Sequence, residues 1–394
     1  MSRQRKVILA METSRTYGRS ILRGIARYAR THGPWVFHRS APFYWGATAQ
    51  KSSLGSLFRL DVDGIVLREQ RDGVQTERML SLGVPVVVSP YTEPFPGLAN
   101  ILTDDVAIGR MAAEHLLHRG FRQFAYCGFG DRYFWSRERG RSFCARVREA
   151  GFETNYYDYN EPKSVSRRSW EAEQGIVVEW LRSLPKPVGV MASNDDRGQH
   201  ILEACKLAGL RVPEELAIIG VGNDDLICDL VSPPLCSVAL SAQKAGYEAA
   251  ARLDALMSGG PDNNDTIVVR PSRVVTRQST DVFAISDPCV LEVLRHIHAR
   301  AGREPVQVED ILKSVPVSRR GLYNRFARTL GRSVHDEIKR VRMDECARLL
   351  VSTELPISKI ALRLGFSDVK NFARYFRQSM GLNPLEYRKR HCID

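Results

Sequence analysis

Apolar residues along the first 280 positions fall into two alternating kinds of run. Short, nearly continuous blocks read as strands buried on both faces: residues 7–11, Trp35–His38, Leu60–Leu67 and Val84–Val88. Between them lie stretches with helical spacing. Ile21, Leu22, Ile25, Tyr28 and Ala29 share one side of a helix with Gly33 just past its end, and Val74–Leu82 forms another. A second series begins near Asp104. It predicts helices over Val106–Arg119, Arg137–Ala150, Ser169–Leu184 (Ile176, Val177 and Trp180 inward), Arg197–Ala208 and Gln243–Met257. Its strands are Gln123–Cys127, Thr154–Tyr159, Val188–Ala192, Leu216–Gly220 and Ser237–Leu240, with Thr266–Arg270 and Arg273–Arg277 leading out. Strands alternating with helices imply parallel sheets covered on both faces, here as two successive doubly wound units.

Beyond residue 280 only the helical period remains. Val290, Leu294 and Ile297 mark a helix over Pro288–Ala301, and Val308, Ile311 and Leu312 a short one. Ser318 caps a helix that turns Leu322, Phe326 and Leu330 inward and leaves Arg319, Arg320, Tyr323 and Asn324 outside. One helix over Val334–Val351 follows, eighteen residues or about 27 Å long. Ile357, Ile360, Ala361 and Leu364 then form one stripe. Gly365 ends that helix, because a left-handed stop is nearly free only for glycine. Ser367 or Asp368 caps the next helix, which buries Phe372 and Phe376 and exposes Lys370, Asn371, Arg374 and Arg377 before Gly381. Two short helices joined by a tight turn make a helix-turn-helix, whose second helix enters a DNA major groove.

Charge agrees with that reading. From Ser286 to Asp394, Lys and Arg outnumber Asp and Glu by 21 to 13, so +8 of the formal +12 lies in the last 109 residues. This is where a phosphate-contacting domain would need it. No run approaches the eighteen apolar residues of a membrane span, and the first apolar block is too short for a signal peptide, so the chain is expected in the cytoplasm. The eight Cys, at 127, 144, 205, 228, 236, 289, 346 and 392, have neither zinc nor disulfide-framework spacing and read as buried thiols. His115 and His118 lack neighbouring metal ligands and read as a surface helix face. No metal, cofactor or catalytic constellation is expected. The glycine pairs at 128/130 and 220/222 do not continue at dinucleotide spacing, and Asn223, Asp224 and Asp225 would repel a pyrophosphate. An enzyme or a transport solute-binding protein would share the α/β core, but the latter needs a signal peptide and no DNA domain.

Residues 357–388 closely resemble the AraC-type regulator signature. Ile357, Ile360, Ala361, Gly365, Phe366, Ser367 and Asp368 match its first half; Phe372, Arg374, Phe376, Arg377, Gly381, Pro384, Glu386, Tyr387 and Arg388 match its second. The resemblance implies two helix-turn-helix units joined by one long helix, so that a monomer grips adjacent major grooves about 34 Å apart. The earlier part, about residues 6–278, resembles the LacI-type sugar-sensing core, on Ala192–Asp195, Leu216–Asp224 and Pro233–Ser237. LacI-type chains begin with their reader; here only six residues precede the first strand. A LacI-like sensor ahead of an AraC-type reader resembles the xylose-regulator family over the full length. The implied fold class is α/β, a two-lobed periplasmic-binding-protein-like sensor with doubly wound parallel sheets, plus an all-α C-terminal domain with two helix-turn-helix units. The divisions are 1–278 sensor, 279–287 linker and 288–394 reader.

Ligands meet the carboxyl ends of strands in open α/β sheets. Those ends supply Glu12, Ser14, Arg15, Tyr17 and Arg19, then Asp131–Trp135 with Arg139, then Asn194–Arg197, then Asn223–Asp225. Carboxylates, amides and guanidinium groups hold vicinal hydroxyls, and aromatic faces cover a sugar ring, which suits a neutral polyol better than a phosphate. The candidate ligand residues are Glu12, Tyr17, Arg139, Asp195, Asn223 and Asp224. By the LacI resemblance Arg139 contacts sugar hydroxyls with Asp195 opposite. Gly222 stands where a ligand Asp is usual, and Asn223 or Asp224 takes its place. Asp196 and Asp225 serve equally as helix caps, Arg15 and Arg19 as surface charge, and Trp135 as core. The candidate DNA contacts are Arg319, Arg320, Tyr323, Asn324, Lys370, Asn371 and Arg374, divided between bases and phosphates. The implied partners are double-stranded DNA, a sugar effector with D-xylose first and another sugar or sugar phosphate as the alternative, a second copy of the chain, and RNA polymerase. The resemblance implies an activator of pentose use.

Overall fold

The computed structural model describes residues 4–39, 57–70, 73–157, 170–261, 266–301, 306–313, 315–366 and 368–392. Ser367, Tyr159 and Ser169, named above, lie outside the described residues. The first lobe holds β1 (Arg5–Ala10), α1 (Thr16–His32), β2 (Trp35–Arg39), β3 (Gly64–Arg68), α2 (Gly73–Leu80), β4 (Val86–Ser89) and β5 (Ala99–Thr103). The second holds α3 (Asp105–His118), β6 (Gln123–Cys127), α4 (Phe134–Glu149), β7 (Thr154–Tyr156), α5 (Trp170–Ser183), β8 (Val188–Ala192), α6 (Asp195–Ala208), β9 (Leu216–Gly222), α7 (Asp225–Leu230) and β10 (Cys236–Leu240). Then α8 (Ala242–Met257) and β11 (Ile267–Val269) return to the first lobe, and β12 (Pro271–Val275) rejoins the second.

The sheets run β11-β5-β4-β3-β1-β2 and β12-β10-β9-β8-β6-β7. Pairing is parallel throughout the described ladders except at β10–β12. The expectation of two successive units is therefore corrected, because the chain passes between lobes at 103/105, 240/242 and 269/271. Burial explains the return of α8. Its Ala242, Ala245, Ala249 and Leu253 fill the first-lobe core beside Val7, Ile21 and Ile25. Small residues let the two helices touch backbone to backbone: a Cβ on Gly246 would lie 2.0 Å from the Ile21 carbonyl oxygen, and one on Gly24 2.0 Å from that of Gln243.

Three further expectations change. β5 and α7 are not among the predicted elements; Asn100 interrupts the apolar run of β5, which is completed by pairing with β4 and β11. Ile176 is exposed, whereas Val177 and Leu181 face the core. His115 and His118 are not on a free surface. His115 shares a hydrogen bond with Thr280 (2.8 Å) and receives one from Arg119 (3.1 Å), and burial with the Arg119 charge depresses its pKa well below the ordinary value. Burial and the cations Arg340 and Arg332 push His118 down to about 3. The C-terminal domain covers this face.

That domain comprises α9 (Pro288–Arg300), α10 (Val308–Leu312), α11 (Arg319–Leu330), α12 (Val334–Ser352), α13 (Ile357–Arg363), α14 (Val369–Met380) and α15 (Pro384–His391). It contains two cores sharing α12. Val334 and Ile338 complete the core of α9–α11; Met343, Cys346, Ala347, Leu349 and Leu350 complete that of α13–α15. Gly331, Gly365 and Gly381 take the left-handed stops (φ 69, 76 and 75°). Residues between β12 and α9 are packed: Val282 and Ala284 lie against the second-lobe core, Phe283 and Ile285 against the first reader core.

Candidate ligand cleft and nucleic-acid interface

The cleft lies where strand ends of the two lobes face each other. On the first lobe, the Glu12 carboxylate accepts hydrogen bonds from Ser14 Oγ and Tyr91 Oη (2.9 Å for the latter). Burial opposes its ionisation, but these bonds and the charges of Arg68 and Arg15 outweigh it and hold the carboxyl below its ordinary range. Tyr17 Oη lies 3.2 Å from Ser89 Oγ. Arg68 donates to that same Ser89 oxygen at 2.6 Å and stacks 3.6 Å from the Tyr91 ring centre and 5.2 Å from that of Tyr17. Arg68, Ser89 and Tyr91 were not among the sequence candidates. Arg68 and Ser89 end β3 and β4 and Tyr91 lies just beyond, at carboxyl ends that the same rule reaches.

On the second lobe Arg139 is buried. Its Nε donates to Asp105 at 2.8 Å, its Nη1 to the Ser193 carbonyl at 2.7 Å and its Nη2 to Thr103 at 3.3 Å. The guanidinium sits 5.0 Å from the Trp135 ring centre. Asp195 has internal partners at both oxygens: Ser237 Oγ donates to one at 2.5 Å and the Asp224 N–H to the other at 2.7 Å. Burial raises its pKa to about 6 against those two bonds. Through these two bonds it braces the turn after β9. Asn223 has φ 48°, accepts from Arg277 at 2.9 Å and donates its N–H to Ser237. Of this pair it is Asp224 that reaches the other lobe.

Among the described residues, hydrogen bonds and ion pairs also join the lobes away from the chain passages. Asp224 accepts the Thr16 N–H at 2.6 Å and lies 3.4 Å from Arg19, while Arg15 pairs with Asp196 at 2.6 Å. Elsewhere the Phe134 N–H donates to the Thr92 carbonyl at 3.1 Å and Arg137 pairs with Glu93 at 2.9 Å. The alternative reading of Arg15 and Arg19 as plain surface charge thus gives way to cross-lobe pairing. Among the described residues no group of three or more His, Cys, Asp or Glu is arranged to hold a metal ion, and none of the eight cysteines is in a disulfide.

On the reader, Ser318 accepts from the Gly321 N–H and Asp368 from the Lys370 N–H, capping α11 and α14. Leu322 and Phe326 anchor the first helix, Phe372 and Phe376 the second. Arg319, Arg320, Asn324, Lys370, Asn371 and Arg374 are exposed. Arg319 pairs with Glu309 at 2.7 Å, and Arg374 donates to Asn371 at 3.2 Å. Tyr323 is half-buried, its hydroxyl 3.2 Å from His335 Nε2. The α12 helix, nineteen residues or about 28 Å, separates the two units.

Residues 113–280 match the periplasmic binding protein-like domain and residues 311–390 a helix-turn-helix domain. The "Xylose operon regulatory protein" of Haemophilus influenzae is 28% identical over 390 residues, covering 97% of this chain and 98% of that one. The Escherichia coli K12 protein of the same name is 29% identical over 397 residues, covering 98% and 97%. The chain is a transcription regulator, similar to these xylose regulators over its full length. A solved structure described as the xylose-binding transcription activator XylR aligns over 100% of both chains with a TM-score of 0.61 and 26% identity. A periplasmic binding protein/LacI regulator from Alkaliphilus metalliredigens, complexed with D-xylulofuranose, covers 71% of this regulator at TM-score 0.54 and 18% identity, a likeness of fold. The two-lobed α/β sensor and helical reader expected from the sequence are thus found, in a regulator of DNA and not an enzyme. No described helix is long and apolar enough to cross a membrane.

Proposed function

We propose that this regulator answers a pentose, D-xylose first, and activates genes for its use. The observation that carries the reading is one chain with a cleft bridged by Asp224 on one side and two DNA-reading helices on the other. Relatives matching it end to end are named for the xylose operon, which supports the choice of sugar. The ligand contacts are Glu12 and Tyr17 from the first lobe and Arg139, Asn223 and Asp224 from the second, with Asp195 as their brace. Arg68 and Tyr91 join this set. The sensor is taken as 1–278, the linker as 279–287 and the reader as 288–394. Arg319, Arg320, Asn324, Lys370, Asn371 and Arg374 contact DNA, with Tyr323 supporting the first helix through His335. The regulator acts in the cytoplasm, where it meets promoter DNA and RNA polymerase.

It works as a homodimer. Leu226 and Leu230 are 60% and 83% exposed. With Leu202, Ile227 and Val231 they line a groove of about 250 Å³ flanked by Glu203 and Lys206, whose opposite charges let a second copy pair across a two-fold axis. Sedimentation velocity on Leu230→Glu is expected to show the monomer; an unchanged dimer removes this face.

Calorimetry with D-xylose, L-arabinose, D-ribose and a pentose phosphate tests the effector. Binding of D-xylose with DNA affinity altered by it is the expected outcome, because a ligand shifts an equilibrium only by its differential affinity for two states. Absence of any pentose binding, or identical DNA affinity and footprint with and without sugar, defeats the reading.

A further inference from the structure

The two halves of the reader are fastened to different parts of the sensor. The first half is held to the second lobe only, among the described contacts. Arg332 donates to the His118 carbonyl at 2.8 Å and Arg122 to the Thr329 carbonyl at 2.7 Å, and in the linker that leads into it the Ala284 N–H donates to the Arg119 carbonyl at 2.9 Å. Glu337, fully buried, ties Arg332, Arg340 and His298 together beneath this contact at 2.7–3.0 Å.

The second half straddles the passage between lobes. Tyr387 on α15 donates to the Ser272 carbonyl of β12 at 2.6 Å. Four residues on, His391 Nδ1 lies 2.9 Å from Ser241 Oγ, at the passage from β10 to α8. Lys244 of α8 donates to the carbonyls of Lys389 and Cys392. Ser272 belongs to the second lobe, whereas α8 is built into the first-lobe core. The same tail is tied inward: Arg388 donates to the Leu350 and Leu355 carbonyls, and the Tyr387 ring meets Phe376 of α14 edge-on at 5.3 Å. A continuous set of contacts thus runs from α8 through His391 and Tyr387 to the second reading helix.

We infer that α15 is a strap across the sensor hinge that couples lobe closure to the position of α14 relative to α11 within a single chain. This inference rests on the sugar-responsive reading proposed above. Rotation of one lobe against the other moves Ser241 and Lys244 relative to Ser272. The strap cannot follow both without tilting, and α14 tilts with it, while α11 stays with the second lobe. Over the α12 length, a tilt of about 10° moves the far helix by roughly 5 Å, more than one base-pair step.

The test uses the full chain and a duplex selected for tight binding to it. Duplex affinity is measured by anisotropy with and without saturating D-xylose, and sugar affinity by calorimetry, for the wild type, Tyr387→Phe, His391→Ala and Ser241→Ala. The phenylalanine keeps the ring packing, and Ser241→Ala removes only a hydroxyl outside the reader should the tail substitutions unfold it. In each folded variant, sugar affinity is expected within twofold of wild type, while the sugar-dependent ratio of duplex affinities falls at least threefold toward one. A wild-type ratio that survives all three substitutions overturns the strap alone. A wild-type ratio of one overturns the functional reading and the strap with it.

Discussion

Arg139 shows why a place at the cleft was readable and a buried ion pair was not. Its place behind a strand end was visible in the sequence; its pairing with Asp105 was not, because Asp105 follows a strand without a strong local pattern. Both side chains are under a tenth exposed. Arg139→Met leaves the Asp105 carboxylate buried without its cation, and chemical denaturation is expected to show a loss of about 3–5 kcal/mol together with loss of sugar binding. Asp195 behaves differently. Asn in its place would direct an N–H at either the Ser237 hydroxyl or the Asp224 N–H. Asp195→Asn is therefore expected to cost about 1–3 kcal/mol in the same measurement. A neutral result would mean that the turn after β9 is held some other way. On the reader, Arg374→Ala is expected to weaken duplex binding by about 1–3 kcal/mol, read by gel shift; unchanged affinity removes it from the interface.

At the scale of elements, the reader was the most legible part. Its helices carry their own boundaries: side-chain caps at Ser318, Ser333, Asp368 and Asn383, and left-handed glycines behind α11, α13 and α14. Such signals act within one turn of chain and need no partner. The sensor strands were legible for another reason, since a strand buried on both faces is apolar throughout. β5 escaped because its partners β4 and β11 supply what its own composition does not. The α1–α8 crossing is likewise a matter of fit between distant segments. Gly246→Ala places a methyl group against the Ile21 carbonyl and is expected to cost about 1–3 kcal/mol by overpacking. Thermal melts should register this as a lowered midpoint, without change in the isolated DNA contacts.

For the whole molecule, Glu337 holds Arg332, which joins the reader to the sensor at the His118 carbonyl. Burial opposes its ionisation, but hydrogen bonds from His298 and Arg340 and the charges of Arg340 and Arg332 hold the carboxyl far below its ordinary range. A carboxylate depressed in the folded state contributes stability that is complete above the unfolded pKa, about 4.3, and is lost as pH falls toward the folded value. Melting between pH 3 and 7 is expected to show Glu337→Gln less stable than wild type at neutral pH, with the gap narrowing in acid. A constant gap would mean that the carboxylate charge is not what matters there.

The sequence by itself determined the parts: two α/β lobes, a double helix-turn-helix, and the sign of charge on the reading helices. Each depends on spacing within a few turns of chain or on the composition of a single run. Only the tertiary structure decided how those parts are joined. It sends α8 and β11 back to the first lobe, sets Asp224 against Thr16 across the cleft, and lays α15 over the passage between lobes. These contacts link residues far apart in the chain through close fit and burial, and no local period records which distant surface will be covered.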